Sequence, residues 1–198
     1  MLLESALETW RAGGFVMPPL AVATLVLWWT LGMRFARLRR GSSGTLRSLL
    51  VQAEAGSLEP SGVVDGALVE GVALAKAHPA QVRPRVQWMI QGLREELSRG
   101  SRTIAILVGV APLAGLLGTV TGMIETFDFL ATMTLFSRSG GIAGGVSQAL
   151  VSTQAGLVVA VPGVIAGRLL AMKQERLEVE IDEVEELLSA RFGHEEAA

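Results

Sequence analysis

The stretches IAILVGVAPLAGLLGTVTGMI (Ile104–Ile124) and IAGGVSQALVSTQAGLVVAVPGVIAG (Ile142–Gly167) decide the fold. They run 21 and 26 residues without a charge. As a helix, either is long enough to cross a hydrocarbon core of ~30 Å. A plain pair of membrane anchors would be Leu, Ile and Val throughout. These two carry Thr119, Thr121, Ser147, Gln148, Ser152, Thr153 and Gln154 in their interiors. Polar groups at membrane depth are costly unless they pair or line a path. The hairpin therefore has a task besides anchoring.

A third uncharged run, Ala12 to Met33, is 22 residues long. It does not read as a signal peptide: Glu4 and Glu8 precede it with only Arg11, and no small-residue cleavage pattern follows Met33. It runs instead into Arg34, Arg37, Arg39 and Arg40, a stop-transfer flank. Pro18 and Pro19 stand near its outer end, where missing amide donors matter least, and Trp28 and Trp29 suit an interfacial position near its inner end. Lysine and arginine set the orientation. The segment 34–103 holds eleven of the seventeen, the tail from Arg168 four, and the outer pieces only Arg11 and Arg138. The expectation is three spans with the N-terminus outside and the C-terminus inside.

The division expected is thus an outer N-terminus and first span over 1–33, a cytoplasmic helical segment over 34–103, a second span over 104–130, an outer loop over 131–141, a third span over 142–170, and an acidic helical tail over 171–198. Half the residues are hydrophobic and only 18% are charged, a composition of integral membrane proteins. There is no cysteine, and the two histidines, His78 and His194, lie far apart. Thiol nucleophiles, disulfides and cysteine-ligated metals are excluded, and a histidine-based metal or catalytic site is not expected. The net charge of −2 gives no sign of nucleic acid.

Within the cytoplasmic segment, Thr45–Ala55 reads as a short helix, Gly56–Gly62 as a turn-rich break, and Val63–Ala77 as a helix stopped by His78-Pro79. After Pro84 the run Arg85–Arg102 places Val86, Ile90, Leu93 and Leu97 on one face, and it is expected to continue unbroken into the second span. In the tail, Leu177, Ile181, Val184 and Leu188 recur at helical spacing among seven acidic residues. Two readings stand: a solvated helix, or one packed on the basic helices of its own or a neighbouring subunit.

In the second span Ala114, Gly118 and Gly122 recur every four residues; in the third, Gly163 and Gly167 do the same. Small residues on one face let helices approach closely in lipid. At about 100° per residue, Gln148 and Ser152 share one side of the third span, Thr153 lies elsewhere, and Ser147 and Gln154 fall on another side. Polar groups on two faces suit an oligomer, with one face toward a central path and another toward an adjacent helix. The alternative for each hydroxyl is a bond to its own preceding-turn carbonyl. Glu125 and Asp128 close the second span at its outer end, either as interfacial carboxylates or as an acidic mouth that concentrates cations. Pro112 and Pro162 are expected to kink their helices.

The segments Ala111–Met123 and Gln148–Pro162 resemble the two core helices of the MotA/TolQ/ExbB ion-channel family, closely over residues 100–172. The three-span layout resembles ExbB or TolQ more than a flagellar stator. The resemblance implies an inner-membrane homo-oligomer, a pentamer, that encloses helices of an ExbD-like or TolR-like partner and passes ion-driven motion to a TonB-like protein. It needs no cofactor and no nucleic acid. By motif position Thr119 and Thr153 match the family's two pore-facing threonines, and Gln148 stands where ExbB commonly has a glutamate. Glutamine cannot carry a proton. The resemblance therefore puts the titrating group on the partner, with Thr119, Thr121, Gln148, Ser152 and Thr153 along the path, which could carry H⁺ or Na⁺. An ExbB-like energiser of outer-membrane import, a TolQ-like subunit of envelope maintenance, and a non-conducting scaffold remain as readings. An enzyme is not expected, because no nucleophile–base pair is present.

Overall fold

The computed structural model describes residues 10, 12–132 and 140–193, and every regular element among them is helical. A 3₁₀ turn at Gly14–Val16 leads into α1 (Met17–Arg37). Then come α2 (Leu46–Glu54), α3 (Val63–Ala77), a 3₁₀ turn (Pro79–Gln81), α4 (Val82–Ser98), α5 (Ser101–Thr132) and α6 (Gly140–Phe192). Three helical stretches, Gly14–Arg37, Pro79–Ala131 and Ile142–Phe192, contain windows long and apolar enough to cross a membrane. Most of loop 131–141, including Arg138, lies outside the described residues, as do Glu4, Glu8, Arg11 and His194.

Helix starts and stops follow local chemistry. Pro18 and Pro19 occupy the first turn of α1, where no intrahelical donor is lost, and Arg34 and Arg37 occupy its last turn, where cations offset exposed carbonyls. Helix α3 spans the residues its pattern dictates and ends at His78 before Pro79. One expectation fails. The chain does not run unbroken from Arg85 through the second span: α4 ends at Ser98, and Gly100 takes φ +88° before α5 begins. Apolar spacing continues across this point, so periodicity hides the break; a left-handed glycine marks it. Helices α5 and α6 pass through Pro112 and Pro162 without interruption.

The chain divides into two compact units. One comprises residues up to Leu31 with Arg102–Gly167, and the other Gly32–Ser101 with the segment from Arg168 on. In the second unit the tail packs on the helices of its own chain. Leu177, Ile181, Val184 and Leu188 are buried, and Gly71 of α3 lies directly against Leu188. Each such side chain contributes about 1.5–3 kcal/mol on full burial. Arg40–Glu180 (2.6 Å), Arg94–Asp182 and Arg191–Glu54 (2.9 Å) frame this contact. These pairs are partly exposed and screened by solvent, so the apolar face dominates.

The same unit has a tight junction at the start of α3. The amides of Val63 and Val64 bond to the carbonyls of Arg39 and Arg40 at 2.8 and 3.1 Å. Asp65, fully buried, accepts from the Ser42 amide (2.8 Å), the Ser42 hydroxyl (2.9 Å) and the Ser61 hydroxyl (2.6 Å) on one oxygen. Burial pushes its carboxyl up, but the bonds from Ser61 and Ser42 outweigh it and hold the pKa below the usual carboxylate value. Gly41, at φ +104°, lies against Asp65, where a Cβ would collide with the carboxylate.

Candidate functional site: the two core helices

In the first unit α5 and the N-terminal part of α6 lie antiparallel along a seam of small residues. The contacts Thr126–Gly145, Gly122–Ala149, Gly118–Ser152, Gly115–Gly156, Val108–Gly163 and Ile104–Gly167 follow one register. A Cβ on Gly122 would sit 2.7 Å from the Gly145 carbonyl oxygen, and one on Gly156 2.7 Å from that of Ala111. Backbone meets backbone here, which only glycine permits. Gly118, Gly122, Gly163 and Gly167 stand on this seam, together with Gly115, Gly145 and Gly156, whose i, i+3, i+4 recurrence could have revealed them. Ala114 does not belong to it. With Ala155 and Val159, Ala114 packs against the cluster of Leu20, Ala111 and Ala160, on the side covered by α1.

Ser152 is fully buried, its hydroxyl on the Ala149 carbonyl at 3.0 Å and its side chain against Gly118. The sequence reading set it on the path. The structure places it inside the seam, because rotation about one helix cannot reveal which face its neighbour covers. The hydroxyls of Thr119, Thr121 and Thr153 also bond to carbonyls of their own preceding turn. Thr119 donates to Leu116 (2.7 Å), Thr153 to Ala149 (3.2 Å), and Thr121 to Leu117 and Gly118 (3.2 and 3.0 Å). That spends the proton of each hydroxyl and leaves its oxygen lone pairs as acceptors.

The seam divides the remaining polar residues. At about 100° per residue, Thr119 lies about 60° to one side of the seam positions of α5 and Glu125 about 60° to the other. Because α6 runs antiparallel, Thr153 falls on the side of Thr119, and Gln148 on the side of Glu125. The Gln148 side-chain amide donates to the Glu125 carboxylate at 3.2 Å, which fits this placement. Gly14 closes over the same spot: at φ +66°, its Cβ position is 2.5 Å from the Gln148 nitrogen. Thr121 and Asp128 also project away from Thr119. The five residues read as one path thus separate into a threonine flank (Thr119, Thr153), a seam residue (Ser152) and two residues that project away from that flank (Gln148, Thr121). Glu125 is a hydrogen-bonded partner of Gln148 rather than a lone headgroup contact.

The threonine flank lies opposite α1 and is open within the subunit. Around the half-buried Thr119 and Thr153 it presents Leu116, Leu150, Leu157 and Val164, all exposed. An apolar wall with two hydroxyl oxygens at neighbouring levels can solvate a passing cation, or a carboxyl on an inserted helix, without supplying a titratable group. Among the described residues no cluster of His, Cys, Asp or Glu could hold a metal.

The profile of the MotA/TolQ/ExbB proton channel family matches residues 61–183. The chain belongs to this family. The match takes in both core helices, the threonine flank and the first part of the packed tail. Members of this MotA/TolQ/ExbB family are membrane channel and transport subunits, and the three long apolar helices fit that class. The chain is 37% identical over 87 residues to the biopolymer transport protein exbB1 of Vibrio cholerae, covering 44% of this chain and 38% of that protein. It is 35% identical over 94 residues to a putative ExbB-like biopolymer transport protein of Synechocystis, covering 47% and 45%. It is 32% identical over 116 residues to the Tol-Pal system protein TolQ of Pseudomonas aeruginosa, covering 59% and 46%. The chain thus spans less than half the length of these relatives.

Proposed function

We propose that this MotA/TolQ/ExbB member is the ring-forming, ion-conducting subunit of an ExbB-type motor in a bacterial inner membrane. Its N-terminus lies outside, and its 34–103 segment and tail lie inside. Copies assemble as a pentamer around the single-span helices of an ExbD-like or TolR-like partner. The H⁺ or Na⁺ gradient drives motion that a TonB-like protein carries to outer-membrane import. The chain performs no catalysis.

The observation that carries this reading is the placement of Thr119 and Thr153 on one uncovered flank, opposite α1. In a ring, that flank is available to face the enclosed helix. The two threonine oxygens accept hydrogen bonds around a carboxyl on that helix and help set its pKa. Glu125 and Asp128, near the end of α5 and across the seam from the threonines, form an acidic outer mouth whose field draws cations toward the path.

Thr153→Val tests the reading by removing the acceptor oxygen while keeping shape. The expected result is an assembled complex with ion flux and siderophore-dependent growth lost. Unchanged flux and growth would leave the non-conducting scaffold as the correct account. The similarity to TolQ favours a second role. A deletion strain that becomes detergent-sensitive yet keeps ferric-siderophore uptake would assign the chain to envelope maintenance.

A further inference from the structure

The unit built from Gly32–Ser101 and the tail presents two unpaired surfaces of opposite charge on different sides. The first is a groove of about 940 Å³ between the end of α1, α3 and α4. Its rim carries Arg37, Arg39 and Arg85, and Met89, Leu93 and Trp88 give it an apolar floor. Trp88 is 80% exposed, a large apolar side chain left uncovered. Glu70 and Glu96 also border the groove and leave it net positive. Its three arginines make no ion pair among the described residues.

The second surface is the outer side of α6. Glu175, Val179, Glu183 and Glu186 lie roughly opposite the buried Leu177–Leu188 face, at about 100° per residue, and all four are exposed. Val179 is 67% exposed at the middle of the stripe. These glutamates too make no ion pair among the described residues. Arg176 borders the stripe, which stays net negative.

We infer that the acidic outer face of α6 in one copy docks into the basic, Trp88-floored groove of the next copy. Different, complementary surfaces on one chain make a heterologous contact, the kind that closes into a ring. The heights agree. Along α6, Arg34 meets Gln174, Arg40 meets Glu180, Gly71 meets Leu188 and Arg83 meets Gly193. The groove therefore flanks the stretch of α6 that carries Val179, Glu183 and Glu186. In a ring about an axis parallel to α6, a neighbour's ridge arrives at that height without sliding. Arg94 also meets Asp182, so Glu175 and Val179 stand level with the rim residues Arg37 and Arg39. Glu183 and Glu186 stand level with Leu93 and Met89, and Arg85 lies about 7 Å further along, within reach of Glu186. The assignment rests on the oligomeric reading above and specifies which surfaces make the oligomer.

The chain has no cysteine, so disulfide trapping in native membranes is clean. The double variant Glu183→Cys with Leu93→Cys, which stand at one level, should give a ladder of linked species on oxidation. Co-expressed single variants should give linked dimers only. Arg85→Glu should weaken trapping by about fivefold, the upper range for one exposed pair, and adding Glu186→Arg should restore it. An oligomer by light scattering that yields no ladder overturns this interface alone; a monomer overturns the oligomeric reading with it. Stoichiometric anionic phospholipid that leaves when Arg37 and Arg39 become Ala, with no ladder, assigns the groove to lipid and also overturns the proposal.

Discussion

Gly122→Ala puts one methyl into the tightest part of the helix seam. Its Cβ would lie 2.7 Å from the Gly145 carbonyl oxygen, 2.9 Å from the Ala149 nitrogen and 3.2 Å from the Ala149 Cβ. Both close neighbours are backbone, so no side chain can swing aside. The helices must part by about 0.5–1 Å, which forfeits a quarter to a half of each contact well of ~0.1–0.2 kcal/mol. With on the order of ten atom pairs at each of about three adjoining contact levels, the loss is ~1–3 kcal/mol. The gain in helix propensity returns up to ~1 kcal/mol. Gly109 has nothing within 4 Å of its Cβ position, so Gly109→Ala makes the same chemical change with no clash. Unfolding in mixed detergent micelles, followed by circular dichroism, should place Gly122→Ala below wild type by ~0–2 kcal/mol and Gly109→Ala at or above it. A Gly122→Ala protein as stable as Gly109→Ala would refute the close-packed seam.

Three further outcomes follow from the packed unit and the proposed outer mouth. Asp65→Ala should cost about 2–4 kcal/mol at pH 7, because it strands the Ser42 amide and the Ser42 and Ser61 hydroxyls. Since the folded carboxyl titrates below its unfolded value of ~3.9, its contribution is full above that pH and fades as pH falls through the folded value; the gap between wild type and Asp65→Ala in acid unfolding should narrow only there. Gly100→Ala forces a side chain into a left-handed conformation and should destabilise by about 1–2 kcal/mol, read from thermal unfolding. Glu125→Gln should keep the contact to Gln148 and remove the negative charge, so ion flux should fall most at low ionic strength; flux equally reduced at all salt concentrations would count against an electrostatic mouth.

What could be read from the residues alone depended on whether one helix carried the signal. The three apolar runs, the stop of α3 before Pro79 and the buried face of the tail each belong to a single element, and its own periodicity reports them. Seam and flank are properties of two helices together. Ser152 and Gln148 project about 40° apart on α6, yet Gly118 covers one and Glu125 binds the other. Nothing in the third span alone carries that distinction. The break at Gly100 was hidden for the opposite reason: apolar spacing continues across it, and one glycine among 23 is not by itself a signal.

The glycine seam also bears on what this helix pair lets pass. Helices that touch backbone to backbone leave little room for the ~10–15 Å³ a single water needs, so the contact itself offers no wet path. On the proposed reading, any ion path must then lie beside the pair, along the threonine flank, and a subunit alone would not leak between its own core helices.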